Sequence, residues 1–134
     1  MDRDLINWQA VSLGATLAVE AQLQLRAPFT GKDIKAAMFS IPNLKSPGPD
    51  GFNCGFFKTN WQLIGDMACD TIQLFFQTSH MPSHFGQTKM ILLPEVPNPP
   101  QAKDFRPISC CIVIYKCIAK LLYNKLKEVL PQLI

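Results

Sequence analysis

The chain has no Cys-X-X-Cys pair, no adjacent pair of aspartates and no long uninterrupted apolar run. A bilayer-spanning helix needs about 20 consecutive apolar residues. The opening MDRDLINWQAVSLGATLAVEA scatters charges and a glutamine among its apolar residues and has no signal-peptide core. An intracellular chain, in nucleus or cytoplasm, with no membrane partner is expected. The five cysteines, Cys54, Cys69, Cys110, Cys111 and Cys117, are odd in number and irregularly spaced, which excludes a secreted disulfide framework and points to buried free thiols. Pro82 separates His80 from His84 and spoils the one-faced helical spacing that two metal ligands would use. No metal site is expected.

Charge is also scarce. Only 17% of residues are charged against 48% hydrophobic, so few groups are available to cover the surface and some apolar faces await a partner. The net charge of +3 suits a polyanionic partner but falls short of the strongly basic balance of a self-sufficient nucleic-acid binder. At 134 residues the chain fits one modest domain, a module or a fragment.

Apolar periodicity organises what is present. Leu5, Trp8, Ala15, Ala18, Val19, Gln22 and Leu25 recur unevenly at helical intervals, predicting a helix over residues 5–25 with Gly14 as a soft spot. Pro28 ends it, and Thr30 then caps a short helix over 32–39, with Asp33 in the reciprocal position of a capping box. The segment SIPNLKSPGPDGFN at 40–53 is too rich in Pro, Gly and Asn for helix or ladder and must be a loop, with Asp50 capping a local turn. Phe57, Trp61, Ile64, Ala68, Ile72 and Phe75 form an apolar stripe at period 3.6, predicting a helix over 56–78. The run Met90-Ile91-Leu92-Leu93 reads as a buried strand paired with an extended stretch at 105–110. A last helix, 111–130, places Ile112, Tyr115, Ala119, Leu122, Leu126 and Val129 on one face, with Ser109 as its cap and Pro131 as its stop. No internal repeat or domain boundary is visible.

Three segments carry the functional reading: KSPGPDGF at 45–52, ILLPEVPNP at 91–99, and DFRPIS followed by YKCIAKLLYNKL at 104–126. In this order and spacing they resemble the reverse transcriptases of plant LINE-type (non-LTR) retrotransposons, a likeness running from about Pro28 to the end. The resemblance implies residues 1–27 as a helix preceding the domain, and residues 28–134 as the fingers part of a right-hand polymerase, truncated before the palm. In fold class this is α+β: helices around a small antiparallel hairpin. Intact relatives are RNA-directed DNA polymerases whose palm aspartates hold two magnesium ions, about 4 Å apart, over an RNA template and a DNA primer. This chain's acids are dispersed, so by itself it is expected to need no cofactor, to be inactive, to bind nucleic acid weakly at most, and to self-associate through uncovered apolar surface. Leu122, Leu126, Val129 and Leu130 are the residues expected to lose cover. The alternatives are a residual RNA- or DNA-binding module and a structural or interaction remnant.

By the same resemblance, the Arg106 guanidinium of FRPIS reaches the triphosphate of the incoming nucleotide, a role suited to its planar fork of donors. The other role open to it is to pair with Asp104 or a carbonyl and pin the hairpin. Ser109 resembles a position beside the template and competes with its own role as helix cap. Lys45 is the candidate phosphate contact of the loop, which its prolines and glycines equally suit as a rigid connector. Lys116, Lys120 and Lys127 form a stripe that either tracks a phosphate backbone or is a solvated face. Glu95 stands where relatives of this type commonly carry lysine, and its carboxylate would repel an anion.

Overall fold

The computed structural model describes Gln9, Ser12 and residues 14–133. The chain divides into two compact units, residues 28–121 and residues 1–27 together with 122–134.

The larger unit contains three helices, a hairpin and the first half of a fourth long helix. Helix α2 (Gly31–Ser40) starts at the predicted capping box: the Asp33 amide donates to Thr30 Oγ1 at 3.2 Å, and the Thr30 amide donates to Asp33 Oδ2 at 2.8 Å. It buries Ile34, Ala37 and Met38, one face at i, i+3, i+4. It stops at Ile41, whose extended backbone is the one favoured before Pro42. The single helix predicted over 56–78 is two, α3 (Cys54–Thr59) and α4 (Trp61–Thr78), joined at Asn60. The Asn60 side chain donates back to the Phe56 carbonyl at 2.8 Å and so satisfies a group at the break. The predicted stripe is nonetheless the packed one, with Ala68 and Ile72 buried and Phe57, Trp61 and Phe75 half-buried against the core. Ser79, in the left-handed region at φ 55°, closes α4 by donating its amide to the Phe75 carbonyl at 2.8 Å.

Strands β1 (Thr88–Pro94) and β2 (Phe105–Cys111) pair antiparallel, from Thr88 opposite Cys111 to Pro94 opposite Phe105. The pairing is as predicted, but the burial is not. Every β1 residue except Ile91 is exposed, because the ribbon has two strands and no third among the described residues to sandwich it. A continuous apolar run reports hydrophobicity, and burial depends on what lies over it.

Helix α5 (Val113–Val129) runs from the larger unit into the smaller. Ser109 does not cap it. Ser109 lies within β2 opposite Met90, and Ile112 supplies the first carbonyl, accepting from the Lys116 amide at 3.2 Å. The face predicted to be apolar is also not the buried one. Val113, Ile114, Cys117, Ile118 and Leu121 are buried, whereas Tyr115, Ala119, Leu122 and Leu126 are exposed; of the predicted face only Ile112 and Val129 are covered. The core of the larger unit is therefore Ile34, Met38, Cys54, Ile72, Val113, Cys117 and Leu121, with their neighbours.

In the smaller unit, α1 (Val19–Arg26) is the described part of the N-terminal helix predicted over 5–25. Residues 14–18 are not helical, Gly14 being a bend, and most of residues 5–13 lie outside the described residues. Lys125 donates its ammonium to the carbonyls of Leu25, at 3.2 Å, and Ala27, tying α5 to the end of α1 within this unit. Leu122, Leu126 and Leu130 are exposed as predicted, but Val129 is buried.

Among the described residues, no helix is long and apolar enough to cross a membrane. All five cysteines are free, with Cys54, Cys110 and Cys117 buried. Burial pushes the Cys117 thiol up to about 12 from 9.0.

Two outcomes follow. Leu121→Ala should cost about 2–5 kcal/mol in urea unfolding, whereas Leu122→Ala should change stability by less than about 0.5 kcal/mol. A group with a raised folded pKa contributes stability that is complete below the unfolded value. Stability should therefore fall as pH rises from 9 towards 12, as the Cys117 thiol ionises more readily in the unfolded chain. That component of the pH slope should vanish in Cys117→Ala.

Candidate functional site

The loop over residues 41–53 is held at every turn. At its start, Lys58 Nζ donates to the Ile41 carbonyl at 2.6 Å and to Asn43 Oδ1 at 2.7 Å. At its middle, Gly48 is buried against the junction of β2 and α5. A Cβ there would lie 2.5 Å from the Ile112 nitrogen, so only glycine permits the approach. Lys116 of α5 donates its ammonium to the Ser46 carbonyl beside it. Beyond Gly48, the Gly51 amide donates to the Gly48 carbonyl at 3.1 Å, Gly51 takes φ 78°, and the Phe52 amide donates to Asp50 Oδ1 at 3.2 Å. This is the turn-capping role expected of Asp50. Asn53 closes the loop as the N-cap of α3, accepting from the Phe56 amide at 3.0 Å.

Lys116 bonds to the residue after Lys45, and the two lysines differ in role. Lys45 is exposed, while Lys116 is a clamp on the loop. Lys58, which the sequence reading did not single out, is a second clamp. The three ammoniums act together on buried Cys54: burial raises its thiol pKa, and Lys116, Lys58 and Lys45 oppose that rise in this order, with no carboxylate among the influences. Two lysines, Lys58 and Lys116, thus clamp a loop that also carries the exposed Lys45. Lys120, one turn beyond Lys116, is half-buried, and Lys127 is exposed.

Arg106 stands elsewhere. It is five residues from the Cys111 end of β2, or roughly 16 Å at about 3.3 Å per residue. Its partner is Glu95, not Asp104. Arg106 Nη2 lies 2.6 Å and Nε 2.7 Å from Glu95 Oε1, with both side chains solvent-accessible, 71% and 44% exposed. The register explains the choice. Leu93 sits opposite Arg106, and the Glu95 amide extends the ladder by donating to the Asp104 carbonyl at 2.8 Å. Glu95 and Arg106 are therefore diagonal neighbours on one face. Asp104 instead accepts from the Gln101 amide at 3.1 Å and caps its own turn. Ser109, three residues along β2, is exposed and by strand alternation lies on the opposite face from Arg106.

No three of His, Cys, Asp and Glu gather to hold a metal ion among the described residues. The donor set for a pair of divalent ions is not assembled by this part of the chain.

No protein-family profile matches the sequence. Over 111 residues, 83% of the chain, it is 30% identical to a Xenopus laevis protein described as "Transposon TX1 uncharacterized 149 kDa protein". Over that stretch the chain is similar to a transposon-encoded protein. It spans about 8% of the length of that relative, so the match joins one segment of a long polypeptide to nearly all of this one.

Gly48→Ala tests whether the loop is built as described. The added methyl meets backbone, which cannot step aside as a side-chain tip can. The variant should lose about 1–3 kcal/mol in urea unfolding.

Proposed function

We propose that the chain is the fingers-side part of a reverse transcriptase domain from a plant LINE-type retrotransposon, contributing nucleotide and template contacts to RNA-templated DNA synthesis. The observation that carries this reading is the disposition of the motif FRPIS. It forms β2, a strand of an exposed hairpin, and presents the Arg106 guanidinium to solvent where a triphosphate can reach it. The transposon relative, matched over most of the chain, supports the transposon origin that this reading assumes. On this proposal phosphoryl transfer belongs to palm aspartates and their two magnesium ions, because these 134 residues contain no adjacent aspartate pair.

A second reading, a nucleic-acid-binding module, is favoured by one observation: Lys58 and Lys116 both bond to a loop that presents the exposed Lys45. The two readings rest on different places in the chain, Arg106 of the hairpin and the lysines of the loop, and differ in whether Arg106 matters.

Joined in one polypeptide to the palm of a LINE-type reverse transcriptase, the chain should support primer extension on an RNA template. Arg106→Ala should then lower kcat/KM for the nucleotide by about 10- to 100-fold, the scale of a charge-assisted contact. An extension rate indifferent to Arg106 would sink the nucleotide role. The isolated chain should extend no primer. It should bind a template–primer with log affinity falling linearly in log salt, and Lys45→Ala should reduce that slope by about 0.7–0.9. A salt-independent affinity would remove both readings.

A further inference from the structure

Arg106 is the chain's candidate seat for a phosphate, and another anion of the same chain already occupies it. Glu95 Oε1 takes both donors of one edge of the guanidinium, Nη2 at 2.6 Å and Nε at 2.7 Å. That edge is one of those an arginine uses for two-point grip on phosphate or carboxylate oxygens. Backbone pairing places the two residues within reach of each other. The Glu95 amide donates to the Asp104 carbonyl, which continues the β1–β2 ladder and brings the residue diagonally across from Arg106.

The other carboxylate of the turn cannot substitute for it. Asp104 accepts from the Gln101 amide and is committed to capping the turn of residues 102–104.

We propose that Glu95 sets the anion affinity of Arg106 as a built-in competitor: a polyphosphate ligand binds there only by displacing the Glu95 carboxylate. The inference rests on the reading of Arg106 as a phosphate-binding residue. It adds that this chain's affinity is limited by a neighbour on its own hairpin. Both groups are exposed, so solvent screens their attraction and the competitor is weak enough to be displaced. Its removal also takes away a negative charge that faces the incoming ligand.

The test titrates the full 134-residue chain with inorganic tripolyphosphate and, separately, with a nucleoside triphosphate, following the Arg106 Nε–H resonance and the binding heat. Glu95→Gln keeps the shape and removes the charge. It should tighten tripolyphosphate binding by about three- to tenfold over the natural chain, and Glu95→Ala should act in the same direction. Arg106→Ala and the double variant Glu95→Gln/Arg106→Ala should both lose the site. If Arg106→Ala abolishes binding while Glu95→Gln and Glu95→Ala match the natural chain, the competitor is overturned and the phosphate role of Arg106 stands. If the double variant binds as tightly as Glu95→Gln, the anion sits elsewhere and the role of Arg106 falls with the inference. Absence of binding in every variant overturns both. Equal gains for the two ligands assign recognition to the polyphosphate; a gain confined to the nucleoside triphosphate overturns simple displacement by phosphate.

Discussion

The approach of Gly48 to the backbone at Ile112 is the constraint on which the arrangement of the larger unit depends. At that point the loop, the end of β2 and the start of α5 meet with no room for a side chain. Once they meet there, Lys116 is within reach of the Ser46 carbonyl, and Lys58 ties down the start of the same loop. The loop is irregular in backbone yet held by groups from two helices. Its prolines and glycines therefore serve shape first, and any contact with a ligand is made by what that shape presents, Lys45 above all.

The hairpin obeys a different logic. Its strands are exposed, so its specificity comes from cross-strand pairing rather than burial. The pair of Glu95 with Arg106 follows from register and ladder extension. It turns a residue that stands out in sequence as an unfavourable neighbour of an anion into a direct partner of the arginine. The same contact satisfies the structural role open to Arg106 without removing its exposed, ligand-facing one, because a screened surface pair is readily exchanged.

Local chemistry made much of this legible from residues alone. The capping box at Thr30 and Asp33 and the turn at Asp50 are short-range events decided by side chains within a few positions of their targets. The stripe through Trp61, Ala68 and Ile72 was equally readable, since α4 has a distinct apolar face. The break at Asn60 was not, because an asparagine bonding back to its own helix leaves the apolar period intact on both sides.

By itself, then, the sequence determined the order of helices, loop and hairpin, the pairing of the two strands, and the residues from which a site could be drawn. Tertiary structure alone decided which face of α5 is buried. Opposite its stripe of Lys116, Lys120 and Lys127 that helix carries apolar residues over an arc wider than one seam, and periodicity cannot choose within it between Tyr115, Leu122 and Leu126 and Val113, Cys117 and Leu121. It also decided that Ser109 lies in the ladder, that Lys116 is a clamp, and that Arg106 finds Glu95. Each of these depends on strand register or on a contact between segments distant in sequence, and such contacts exist only once the chain has closed upon itself.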